Sequence, residues 1–150
     1  MDIEKIPALL VQANTPAGRT MARTLAKASW PPFPSNGCAA MLSSLLHYAG
    51  VQIQVTLGAG ALAHLLLVRR KWKRIAVDQC KAGDVGVCYD EGGVPGSDHV
   101  YLVLSVETRK PGDVVMMIVD NQSPDPHIRH SAGMGKTATE YFLRATTGAV

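Results

Sequence analysis

The segment Trp30-Pro31-Pro32-Phe33-Pro34-Ser35-Asn36-Gly37 constrains this chain more than any other. Its prolines remove backbone donors and hold the residues before them away from helical geometry, so a stiff loop is expected here. Upstream, Ile3, Ile6, Leu9, Leu10 and Ala13 recur at helical spacing, and residues 17–28 place Met21, Leu25 and Ala28 on one face and Arg19, Arg23 and Lys27 on another. Both stretches read as amphipathic helices joined at Asn14, Thr15 and Pro16. Downstream, Cys38 to Ala49 (CAAMLSSLLHYA) is nearly uncharged and stops at Gly50, a residue common just past a helix end. The loop therefore delivers the chain into a buried helix whose first residue is a cysteine.

The second half changes period. A further helix is expected over 59–72, apolar from Leu62 to Val68 and then basic through Arg69, Arg70, Lys71, Lys73 and Arg74, where cations complement the C-terminal end of the dipole. Beyond it, runs at Asp84 to Tyr89, His99 to Glu107 and Asp113 to Asp120 are separated by turn signals at Gly92-Gly93, Pro95-Gly96 and Pro111-Gly112. They predict an antiparallel meander. Ser123 to Thr139 reads as a Pro/Gly-rich loop, and Tyr141 to Ala145 as a last edge strand. With 150 residues, 47% apolar and 18% charged, the chain fits one globular domain, residues 1–150, of the α+β class: helices first, then an antiparallel sheet packed on the Cys38 helix.

A net charge of +3 falls short of the dense basic stripe expected of a nucleic-acid binder. No run reaches the roughly 20 apolar residues that span a bilayer, and the acidic start Asp2, Glu4 lacks the pattern of a secretory signal. The expectation is synthesis in the cytoplasm, with export or injection by a non-classical route. The cysteines Cys38, Cys80 and Cys88 match no zinc spacing, so neither a metal nor a cofactor is expected.

A cysteine in the first turn of a helix sits where unpaired N–H groups and the dipole favour the nucleophilic thiolate, and its own N–H can face a developing oxyanion. A base is available in His99 at the start of the central strand, on one face with Tyr101 and Val103. The following strand ends in Asp120-Asn121-Gln122, beside the start of its antiparallel neighbour. Asp120 closes the alternating set Val114, Met116, Ile118 and is the favoured orienting group, with Asn121 on the other face as the alternative. Alone, Cys38 would read as a small core hydrophobe; the conjunction with His99 and the polar strand end points to catalysis.

The same residues resemble a known family. Asn36-Gly37-Cys38 through His47-Tyr48-Ala49-Gly50 looks like the cysteine-bearing helix of the NlpC/P60 and CHAP cysteine peptidases and amidases. Ala82-Gly83-Asp84-Val85-Gly86-Val87 and Asp98-His99-Val100-Tyr101-Leu102-Val103 resemble the opening of their first core strand and their histidine strand, so that the likeness covers roughly 36–122. It implies a papain-like fold and a cysteine hydrolase with Cys38 as nucleophile, His99 as base and Asp120, or else Asn121, as third residue. It also implies peptidoglycan peptide as substrate, and for an antibacterial effector an inhibitor or immunity protein as partner. A catalytically silent binding module on the same fold is the alternative of a different class.

Gly58-Ala59-Gly60-Ala61-Leu62-Ala63 fits a dinucleotide fingerprint after the β-capable run Val51 to Leu57, with Asp78 twenty positions after Gly58. Gln52 and Gln54 in that run, and the lack of further strand-helix alternation, argue instead for a turn and helix start beside the cleft. Gly133-Met134-Gly135-Lys136-Thr137 lacks the first glycine of a phosphate-binding loop and reads as flexible. His47, His64, His127 and His130 read as helix-packed or surface histidines, the last two near enough to the strand end to line a cleft. Cys80 and Cys88 read as a loop thiol and a strand residue.

Overall fold

The computed structural model describes residues 1–88 and 99–147. Tyr89, the turn signals at Gly92-Gly93 and Pro95-Gly96, and Asp98 lie outside the described residues. A 3-10 turn, Asp2–Lys5, leads into α1 (Ile6–Asn14), followed by α2 (Pro16–Ser29), α3 (Cys38–Ala49) and α4 (Ala59–His64). Six strands follow: β1 (Lys73–Ile75), β2 (Val85–Cys88), β3 (His99–Lys110), β4 (Asp113–Val119), β5 (His127–His130) and β6 (Thr139–Arg144). They form one sheet in the order β1-β6-β2-β3-β4-β5, antiparallel at every pairing. The molecule is α+β, and among the described residues no helix is long and apolar enough to cross a membrane.

Thr15 separates α1 from α2 by capping: its Oγ1 accepts the Gly18 N–H at 3.2 Å, and Pro16 occupies a first-turn position where its missing donor costs nothing. α3 ends at Gly50, whose φ of +100° suits a residue without Cβ. Ten of the twelve residues of α3 are buried, because α1 and α2 pack on one side of it and β3 on the other. Leu42, Leu45 and Leu46 thus join Val85, Val100 and Leu102 in a shared core, and each such side chain stabilises the fold by about 1.5–3 kcal/mol.

The opposite sheet face carries a second cluster built from Tyr101, Val103, Val114, Met116, Ile118 and Phe142. Its centre depends on Gly86, which pairs with Tyr101 across β2 and β3. A Cβ at Gly86 would stand 2.2 Å from the phenol ring, so only glycine lets Tyr101 lie flat on the neighbouring strand.

Several expectations are corrected. The buried face of α2 is Gly18, Ala22 and Ala26 with Arg19, whereas Met21 and Ala28 are exposed. Small residues let α2 approach α3 closely, and Arg19 is drawn inward by the Ala13 and Pro124 carbonyls. Val51 to Leu57 forms no strand. The helix from Ala59 changes to a π turn at Leu65–Arg69 and ends there, because Asp2 captures the Arg70 guanidinium at 2.6 and 3.0 Å and the Trp72 indole at 2.9 Å. Lys73 and Arg74 then enter β1. The expected loop from Ser123 to Thr139 contains β5, and β6 is no edge: it lies between β1 and β2, with Tyr141, Phe142 and Leu143 all buried.

Candidate active site

Cys38 opens α3 behind the proline loop. Gly37 fits at this junction because a Cβ there would come within 2.5 Å of the Phe33 ring. The loop is tied down at both ends of its turn: the Trp30 indole donates to the Ser35 carbonyl at 2.7 Å, and Asn121 Nδ2 donates to the Pro34 carbonyl at 2.8 Å. The second bond links the end of β4 directly to the segment that positions Cys38.

The sheet register assembles the remaining groups. Leu102 pairs with Val119 and Ile118 with His127, so Asp120, one residue past β4, sits between the start of β3 and the start of β5. His99 Nε2 lies 2.9 Å from Asp120 Oδ2, and His127 Nε2 lies 2.8 Å from Asp120 Oδ1. Gln122 N–H adds a third bond to Asp120 Oδ1 at 2.9 Å. An ionised carboxylate only accepts, so both histidines must donate through Nε2. His99 Nδ1 is then the ring nitrogen left to face Cys38, which is among the groups that raise the imidazole pKa.

Asp120 is 2% exposed. Burial alone would favour its neutral form, but the bonds from His127 and His99 outweigh burial and hold its pKa far below the ordinary carboxylate range. Burial likewise opposes the charged form of His99, and here too it is outweighed: the bond to Asp120 first, and the neighbouring Cys38 after it, raise the imidazole pKa. Burial pushes the Cys80 and Cys88 thiols up.

Cys38 and His99 open onto a cleft of about 760 Å³. Among the described residues, Trp30, Pro34, Ser35, Asn36 and the Leu57-Gly58-Ala59 turn line it, and Asn121, Gln122, Arg129, Lys136 and Thr137 line it as well. The Ser35 and Gly37 N–H groups are used within the loop, on the Pro32 and Pro34 carbonyls.

Cys38, His99 and Asp120 are thus brought together, while Asn121 lines the cleft and braces the loop instead of meeting His99. His127, read as a surface or cleft histidine, is a direct partner of Asp120. The signal that could have found it is the alternation in His127-Ile128-Arg129-His130, masked because the buried residue is the arginine and the exposed one the isoleucine. His47 packs against its own helix end through the Ile53 carbonyl, His64 is exposed, and His130 pairs with Asp113. Comparison with family models, curated proteins and solved structures finds no match for this chain.

Proposed function

We propose that this chain is a thiol-dependent amide hydrolase of the papain-like, NlpC/P60 and CHAP-like type, acting on the peptide of peptidoglycan. The observation that carries the reading is the Asp120–His99 bond with His99 and Cys38 lining one open cleft. Each group has a distinct chemical role. Asp120 fixes the His99 ring and stabilises the imidazolium. His99 takes the Cys38 proton through Nδ1, and the thiolate attacks the amide carbonyl to form a tetrahedral oxyanion. The Cys38 N–H and a donor from the Ser35 to Gly37 loop hold that oxyanion in this reading. Its collapse breaks the C–N bond as His99 returns the proton to the leaving amine. Water, deprotonated by His99, then cleaves the thioester and regenerates the thiol.

The substrate rests on the resemblance of the Cys38 helix, the Gly83-Asp84 strand opening and the His99 strand to that family. Incubating the protein with purified peptidoglycan and following released fragments by mass spectrometry tests it. Release is expected, with resistance to EDTA and loss after alkylation of Cys38; intact peptidoglycan in every arm would remove the substrate assignment. Iodoacetamide at substoichiometric dose should label Cys38 ahead of Cys80 and Cys88, whose buried thiols hold their protons. If either of those reacts first while Cys38 stays unlabelled, the nucleophile is misassigned.

A further inference from the structure

Arg129 is only 3% exposed, yet no carboxylate pairs with it among the described residues. The contrast with the other inward-facing arginines is direct: Arg19 meets Asp125, Arg70 meets Asp2 and Arg144 meets Asp84. Arg129 Nη2 donates to the Thr137 carbonyl at 2.7 Å and to Cys88 Sγ at 3.3 Å, and the guanidinium lies 5.0 Å from the centre of the Tyr101 ring. Its Nε has no hydrogen-bond partner among the described residues. A cation so far out of water ordinarily has a counter-charge, because neutral acceptors and a ring face offset only part of its desolvation.

The same residue forms part of the wall of the Cys38 cleft, where Lys136 stands nearby with one of its donors on Gln122 Oε1 at 3.1 Å. Among the described residues, those lining the cleft include Arg129, Lys136 and His99 but no Asp or Glu. One wall of the cleft is therefore cationic, with a rigid planar donor set backed by a flexible ammonium.

We infer that the Arg129 and Lys136 wall is a subsite for a carboxylate of the substrate, so that the enzyme selects peptides bearing a free acid beside the scissile amide over their amidated counterparts. This rests on the hydrolase reading above and adds the chemical class of the group recognised. A guanidinium matches a carboxylate in plane and spacing, and charge-assisted bonds of this kind separate an acid from its neutral amide by about ten- to hundredfold in affinity.

The test uses two synthetic peptidoglycan stem peptides that differ only in whether the α-carboxyl of the D-glutamyl residue is free or amidated. Binding is measured by calorimetry on the full chain carrying Cys38→Ala, which removes turnover from the readout, and hydrolysis is measured on the unaltered chain. The free acid should bind at least tenfold more tightly. Lys136→Met, a change at an exposed residue, should narrow that ratio, and Arg129→Met should abolish it in whatever fraction folds. Equal affinity for the two peptides, no binding of either, or a ratio untouched by Lys136→Met would overturn the subsite. If the unaltered chain cleaves both peptides equally, the hydrolase reading stands and the subsite alone fails. If it cleaves neither peptide nor peptidoglycan, the hydrolase reading fails, and the binding ratio still decides the subsite.

Discussion

β4 carries a histidine and carboxylate pair at each of its ends, and only one of the two shares a cleft with a cysteine. At its start, Asp113 Oδ2 meets His130 Nδ1 at 2.6 Å, while Asp113 Oδ1 accepts the Ala132 N–H at 3.0 Å. Beyond its end, Asp120 meets His99 and His127. The side-chain chemistry is the same, but the surroundings differ. The proline loop and the first turn of α3 bring Cys38 and an open cleft to the Asp120 end, whereas the Asp113 pair serves to fasten the turn after β5. A hydrogen-bonded histidine and carboxylate are therefore no candidate site by themselves; what distinguishes the Asp120 end is the arrival of a second structural layer there.

The largest effect should come from Cys38→Ala, which removes the nucleophile and with it all measurable hydrolysis, while circular dichroism and melting stay close to the parent. Retained turnover in that variant would break the contrast at its root. His99→Ala comes next, with an expected loss of about 10² to 10⁴ in rate. His130→Ala is its control at the other end of β4: activity should persist, and the variant should melt at a lower temperature. If the two histidine variants lose activity alike, the difference between the ends is illusory.

Asp120→Asn should reduce turnover strongly and Asn121→Ala weakly, since only Asp120 reaches His99. Its pH profile sharpens the point. Asp120 raises the His99 pKa above the ordinary value of about 6.5, so the imidazolium of the working pair persists to higher pH, and activity falls as pH rises through the raised value. Removing the carboxylate charge should move that alkaline limb to lower pH. An unmoved limb would mean that Asp120 merely fills space.

The smallest effect belongs to Asp113→Asn, read as stability. The Asp113 pKa is lowered by the His130 bond first and the Ala132 N–H second. A depressed carboxylate contributes stability above the unfolded value of about 3.9 and loses it as pH falls through the folded value. The variant should thus melt below the parent at neutral pH, and the gap should close on acidification; a gap that widens in acid would reverse the assignment.

What the sequence determined by itself were features carried by local chemistry. Proline sterics made residues 30–37 a loop, the uncharged run from Cys38 to Ala49 made a buried helix, and Thr15 and Gly50 marked helix boundaries where they were expected. The alternation ending at Asp120 was legible too, because a strand's period survives without knowledge of its neighbours. Strand order was not legible. Nothing local distinguishes an edge strand from one slotted between β1 and β2, and β6 was settled by both of its partners. Nor could polarity reveal β5, where a buried Arg129 alternates with an exposed Ile128. The place of His127 on Asp120 followed from that hidden strand. Hydrophobic periodicity reports which side chains leave water; only the tertiary structure decides which polar groups leave with them, because their burial is made tolerable by partners far away in the chain.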